Sequence, residues 1–190
     1  MASLIGKFIN VWIHPWVMMR QVKEEGHGAS IKSSMLFVVV MGLLSGLIAS
    51  IMGLFFPPPQ ITQAALPKAF VWLSVVLVPL FYFIGSFVNA FFIWLIVNGI
   101  LKGTSAEYKD TYRLLALPMA FYPVSALLGP VPTLGPWLSI LVAVWAAIVI
   151  IRGVIIVRDT KPVLSWIIFA VLAGLLILLT VGARVATLNV

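Results

Sequence analysis

Cysteine is absent from the chain, which excludes disulfides, iron–sulfur clusters, thiolate zinc sites and palmitoylation. Histidine occurs only at His14 and His27, and the acids are limited to Glu24, Glu25, Glu107, Asp110 and Asp159. None of these seven lies inside a long apolar run. Intramembrane hydrolysis needs a serine with a histidine, paired aspartates, or a histidine metal site within the membrane. Gly26-His27-Gly28 beside Glu24-Glu25 is too sparse to hold a metal. No catalytic, cofactor or metal residue is therefore assigned, and the expectation is a protein without enzymatic chemistry.

Charge itself is scarce. With 63% hydrophobic and 9% charged residues, the chain lies far from soluble composition, where about 45–50% apolar and 25% charged is usual. It reads as an integral membrane protein. A net charge of +7 could point to nucleic acid, but the cations sit between apolar runs, where they act as orientation signals, so no nucleic-acid partner is expected. The first long apolar run starts near Ser33, too late and too long for a cleavable signal peptide. Residues 1–190 are read as one membrane domain.

Spanning about 30 Å takes roughly 20 helical residues. The sequence predicts an all-α, polytopic bundle of five spans at about 33–56, 69–101, 112–129, 136–157 and 162–183. The third is interrupted by Pro118 and Pro123, so a short or broken span is expected there. The second is over-long, yet two crossings would leave about 16 residues each and no turn. Charge decides the matter. One crossing leaves only Lys68 and Arg184 outside, whereas two would place seven cations outside against five inside, contrary to the positive-inside rule. The amino terminus is then cytoplasmic and the carboxyl terminus outside.

Pro57-Pro58-Pro59 ends the first span, the loop Pro130–Gly135 carries no charge and is expected to be tight, and Pro162 suits the start of a helix. Residues 1–32 mix Trp12 and Trp16 with scattered cations, which predicts an interfacial helical segment bent at Pro15.

Several constellations stand out. Gly42, Gly46 and Ser50 recur at four-residue spacing, with Ala49 and Gly53 as a second pair, a pattern that lets helices approach closely within the monomer or across a dimer. Tyr82, Ser86 and Asn89 fall within about 60° of one another on the second span, forming a polar stripe that either joins helices or lines a path. Pro79, just before them, predicts a kink. Arg152 lies inside an apolar run at snorkelling depth, and with Arg158 and Lys161 it forms a candidate contact for an anionic headgroup. In KGTSAEYKDTYR, Thr104 and Glu107 have capping-box spacing. Tyr108 and Tyr112 suit the headgroup layer, and Lys109, Asp110 and Arg113 are placed on the wet side. Glu107, Tyr108, Lys109, Asp110 and Arg113 together are a candidate cytoplasmic docking surface.

Three stretches, HPWVMMRQVKEEGHG, GILKGTSAEYKDTYRLLALPMAFYPVSALLG and VAVWAAIVIIRGVIIVRDTKP, resemble the Yip family (Ypt/Rab-interacting proteins). The resemblance covers most of the chain and implies five helices, a cytoplasmic amino terminus and self-association. Eukaryotic members have a longer polar amino-terminal region and are linked to small GTPases and vesicle traffic. Only some 30 residues precede the first span here, so the resemblance implies a bacterial-type member, placed in the cell (inner) membrane. The leading expectation is a protein that organises or assists a membrane process through helix packing and its cytoplasmic face. The alternatives are a small-solute or ion transporter using the polar stripe, and a handler of anionic lipid. Expected partners are the bilayer and its anionic lipids, a second copy, or other membrane proteins.

Overall fold

The computed structural model describes residues 4–25, 30–56, 68–103 and 107–172. Every regular element among them is helical. Two short helices, α1 (Leu4–Ile13) and α2 (Pro15–Glu25), precede α3 (Lys32–Phe55). Then come α4 (Lys68–Ile96), α5 (Tyr108–Ala116), α6 (Tyr122–Leu128) and α7 (Gly135–Arg158). Last among the described residues is α8 (Pro162–Leu172). Three stretches, Lys32–Phe55, Val75–Leu101 and Trp137–Arg158, are long and apolar enough to cross a membrane. A helix starts at Pro162, where the fifth span is expected, but the second half of that stretch and Arg184 lie outside the described residues, as do the triple proline, Thr104 and His27.

The over-long uncharged run is one helix. α4 continues through a π-helical turn, Val97–Leu101, giving an unbroken element about 50 Å long at 1.5 Å per residue. Pro79 sits inside it, where it withholds one backbone hydrogen bond. α3 covers this point. A Cβ built on Gly42 would lie 2.8 Å from Pro79 Cα, so a side chain there would force apart the most extensive helix pairing in the fold. Ser45, Gly46 and Ser50 are buried on the same side of α3, while Gly53 is partly exposed. The small-residue face thus packs within the monomer.

The third apolar segment departs from a plain span. α5 gives way to a 3₁₀ turn, Leu117–Phe121, before α6 begins, because Pro118 and Pro123 supply no amide protons. Every residue from Asp110 to Phe121 is buried. Irregular backbone survives at membrane depth only where protein surrounds it, and here α1, α3, α4 and α7 all pack against this segment. The least regular stretch is the centre of the bundle. Its helix begins at Tyr108, with Glu107 in the extended cap position and no side-chain cap bond, so the start lies three residues beyond the one expected from a Thr104 cap.

The amino-terminal segment is part of this core and not a separate surface arm. The chain breaks at His14 between α1 and α2, as Pro15 predicts. Val11, Met18 and Met19 are buried, and Met19 covers Gly153 of α7 so closely that a Cβ there would lie 2.9 Å from its sulfur. Trp12 Nε1 donates to the Ala120 carbonyl at 3.2 Å, and its ring meets Phe121 edge-on at 4.6 Å. In 3₁₀ geometry the Ala120 carbonyl would look to residue 123, a proline without an N–H. The indole supplies that donor. Ile5, Ile9, Ile13 and Val17 face outward at four-residue spacing.

The loop after α6 is tight, as expected. Gly135 N–H donates to the Val131 carbonyl at 2.8 Å, and the Gly135 backbone lies against the Leu128 and Gly129 carbonyls with no room for a Cβ.

Candidate functional site

Charged and polar side chains collect where α4 ends, α5 begins and α7 ends. Lys102, at φ 49°, and Asp159, at φ 47°, are both left-handed, a conformation that terminates helices and usually selects glycine. The two chain reversals touch, since a Cβ on Gly103 would lie 2.8 Å from the Arg158 carbonyl. Helix ends that meet this closely bring their side chains together.

Arg158 is fully buried. Its Nη2 donates to Asn98 Oδ1 at 2.5 Å and its Nη1 to Thr111 Oγ1 at 3.4 Å, while the Asp110 carboxylate stabilises its charge. The π turn in α4 carries Asn98 and directs it at α7, a use typical of such bulges. Arg113, 3% exposed, pairs with Glu25 of α2 and lies 3.9 Å from Asp110 Oδ1. Gln21 Nε2 holds the other Glu25 oxygen at 3.1 Å. At the rim, Lys23 and Asp159 pair at 2.6 Å with about half of each side chain exposed. α2, α4, α5 and α7 are thereby joined by one network. A buried ion loses several kcal/mol of hydration, so these contacts fix position more than they add stability.

The expected sites are redistributed. Asp110 and Arg113 are buried in the network and do not occupy a wet face, because the helix side opposite the tyrosines meets α2 and α7. Tyr112 is fully buried, not in a headgroup layer; its hydroxyl hydrogen bonds with Ser86 Oγ at 3.2 Å and its ring packs on Phe87 at 4.6 Å, tilted by 30°. Tyr108 donates to the Phe87 carbonyl at 2.9 Å, and burial raises its phenol pKa above the ordinary 10.0. Glu107 and Lys109 pair at 2.8 Å. Of the candidate docking residues, only Glu107, Tyr108 and Lys109 retain surface.

The polar stripe divides. Tyr82 packs on Tyr122 at 4.5 Å and Ser86 is buried against Tyr112, whereas Asn89 is exposed. Arg152, Arg158 and Lys161 do not converge either. Arg158 points inward, Lys161 is exposed, and the Arg152 guanidinium lies over the Trp16 ring at 5.0 Å.

Sequence reasoning passed over Asn98 and Thr111, and read Glu25 only in an acid pair too sparse for a metal and Trp12 only as an interfacial aromatic. Asn98 carried a faint signal, as the last polar side chain before Lys102 in an otherwise apolar run. No curated protein and no solved structure matches the chain. The Yip1 domain model, however, matches residues 9–183, a range that takes in α2, the broken central segment and the whole charged network, and the chain belongs to that family.

Proposed function

We propose that this is a multi-pass protein of the cell membrane, with a cytoplasmic amino terminus and an outside carboxyl terminus. It has no chemistry of its own and organises a membrane process by presenting its charged end to cytoplasmic or membrane partners. One observation carries the reading: Glu25–Arg113 and Lys23–Asp159 lock α2 onto α5 and α7. The exposed charges of four segments, Arg20, Lys102, Glu107 and Lys161 among them, therefore stand on one platform. The engagement of Tyr82 and Ser86 in packing with Tyr122 and Tyr112 favours helix joining over a conducting path.

A photo-crosslinking residue at Glu107 or Lys161, compared with one at Trp137 near the opposite end of α7, tests the reading in native membranes. Protein adducts concentrate at Glu107 and Lys161. Adducts confined to Trp137, a tag on Val190 reached from the cytosol, or specific solute flux through the purified protein in liposomes would each overturn it.

A further inference from the structure

We propose that Arg152, Trp16 and Arg20 form a site for the phosphate headgroup of one anionic lipid, in the leaflet at the charged end. Arg152 is the only charge of α7 before Arg158, six residues and about 9 Å further into the apolar stretch. Its side chain is exposed. An arginine this close to the end of an apolar helix reaches the interface by snorkelling, and its charge requires compensation there.

Trp16 supplies a part of it, through the ring face 5.0 Å from the guanidinium carbon. A cation–π contact attracts the charge but accepts none of the five N–H donors. The acids nearby are engaged elsewhere, Glu25 with Arg113, Asp159 with Lys23 and Glu107 with Lys109, and Asp110 faces Arg113 and Arg158. Glu24 stands eight residues along α2 from Trp16, about 12 Å away along the axis, and one turn beyond Arg20 without forming an ion pair with it. Among the described residues no acid pairs with Arg152 or Arg20.

Arg20 completes the site. Trp16, Arg20 and Lys23 lie within about 60° on α2, and the two flanking members touch Arg152 of α7 and Asp159 just beyond its end. The turn between them places Arg20 opposite the α7 turn that follows Arg152. Both arginines are exposed, as is the apolar side chain of Val17, next to Trp16 on α2. Two guanidinium groups, an indole and a hydrophobic flank at this depth match a phosphodiester anion with its acyl chains attached. This constellation differs from the one expected from sequence, since Arg158 is spent internally and Arg20 replaces it.

The test uses the full chain reconstituted with equal parts of a zwitterionic phospholipid and phosphatidylglycerol, then moved into detergent and weighed intact by native mass spectrometry. Wild type retains one phosphatidylglycerol in preference to the zwitterion. Arg152→Gln and Arg20→Gln each weaken retention about fivefold, the scale of one cation at a membrane surface, and the double variant abolishes the preference. Lys161→Gln leaves it unchanged and serves as the control for general charge. Arg152→Lys, which keeps the charge without the planar fork, retains an intermediate preference. An equal preference in wild type and double variant overturns the proposal, as does an equal loss with Lys161→Gln. Displacement of the lipid by millimolar inorganic phosphate would reassign the site to a soluble anion.

Discussion

Arg158, on the last turn of α7, reaches across to Asn98, on the π turn of α4, and donates to its amide oxygen at 2.5 Å. Neither helix is close to the other in sequence, and the contact closes a network that also holds Asp110, Thr111 and, through Arg113, Glu25 of α2.

Removing the guanidinium takes from Asp110 one of the two buried positive charges beside it, leaving Arg113. Arg158→Met is expected to cost about 3–5 kcal/mol, the scale for breaking a buried pair from one side, and Asn98→Leu about 1–3 kcal/mol. Adding Asp110→Asn to Arg158→Met recovers part of the loss. Thermal melting of the four purified proteins in detergent checks the order. A double variant no more stable than Arg158→Met alone would refute the coupling.

Gly42 and Gly85 separate packing from helix propensity. Gly42→Ala pushes a methyl group against the Pro79 backbone and should cost about 1–3 kcal/mol. Gly85→Ala meets nothing within 4 Å and should gain roughly 0.5–1 kcal/mol, the ordinary benefit of alanine in a helix. Opposite signs in the same unfolding assay are the expected result.

Trp12 does two things, bonding to the Ala120 carbonyl and packing on Phe121. Trp12→Phe keeps an aromatic ring and drops the donor, for about 1 kcal/mol. Trp12→Ala removes both, for about 3–5 kcal/mol. Limited proteolysis at the α1–α2 break at His14 should accelerate in that order.

Tyr108 gives the protein an alkaline limit. Burial, followed by the neighbouring Tyr112, holds its phenol above the ordinary 10.0, so the folded state keeps the proton more tightly than the unfolded chain. That contribution is fully present below pH 10 and is lost as pH rises through the higher folded value. Ultraviolet titration of phenolate alongside helix content follows it, and Tyr108→Phe removes its share of the alkaline transition.

Much of the architecture was written in one dimension. The uncharged stretch from Ala69 to Leu101 is too short for two crossings, and the imbalance of cations demanded one; α4 is a single helix. Pro118 and Pro123 withhold two amide protons, and the third segment breaks between them. Gly42 and its neighbours at four-residue spacing lie on the packed side of α3. Each of these follows from local covalent chemistry, from helix length or from a count of charges, which need no partner to be known.

Which polar side chains turn inward was decided only by the tertiary structure. Periodicity grouped Tyr82, Ser86 and Asn89, yet the first two meet tyrosines of neighbouring helices and the third faces out. It set Asp110 and Arg113 opposite Tyr112, and all three are buried. In water an apolar stripe marks the covered side of a helix, because solvent rejects it; between lipid and protein there is no such contrast, both being equally apolar. A polar residue is then covered or bare according to what another helix brings against it, and for Arg158 that was an asparagine sixty residues earlier in the chain.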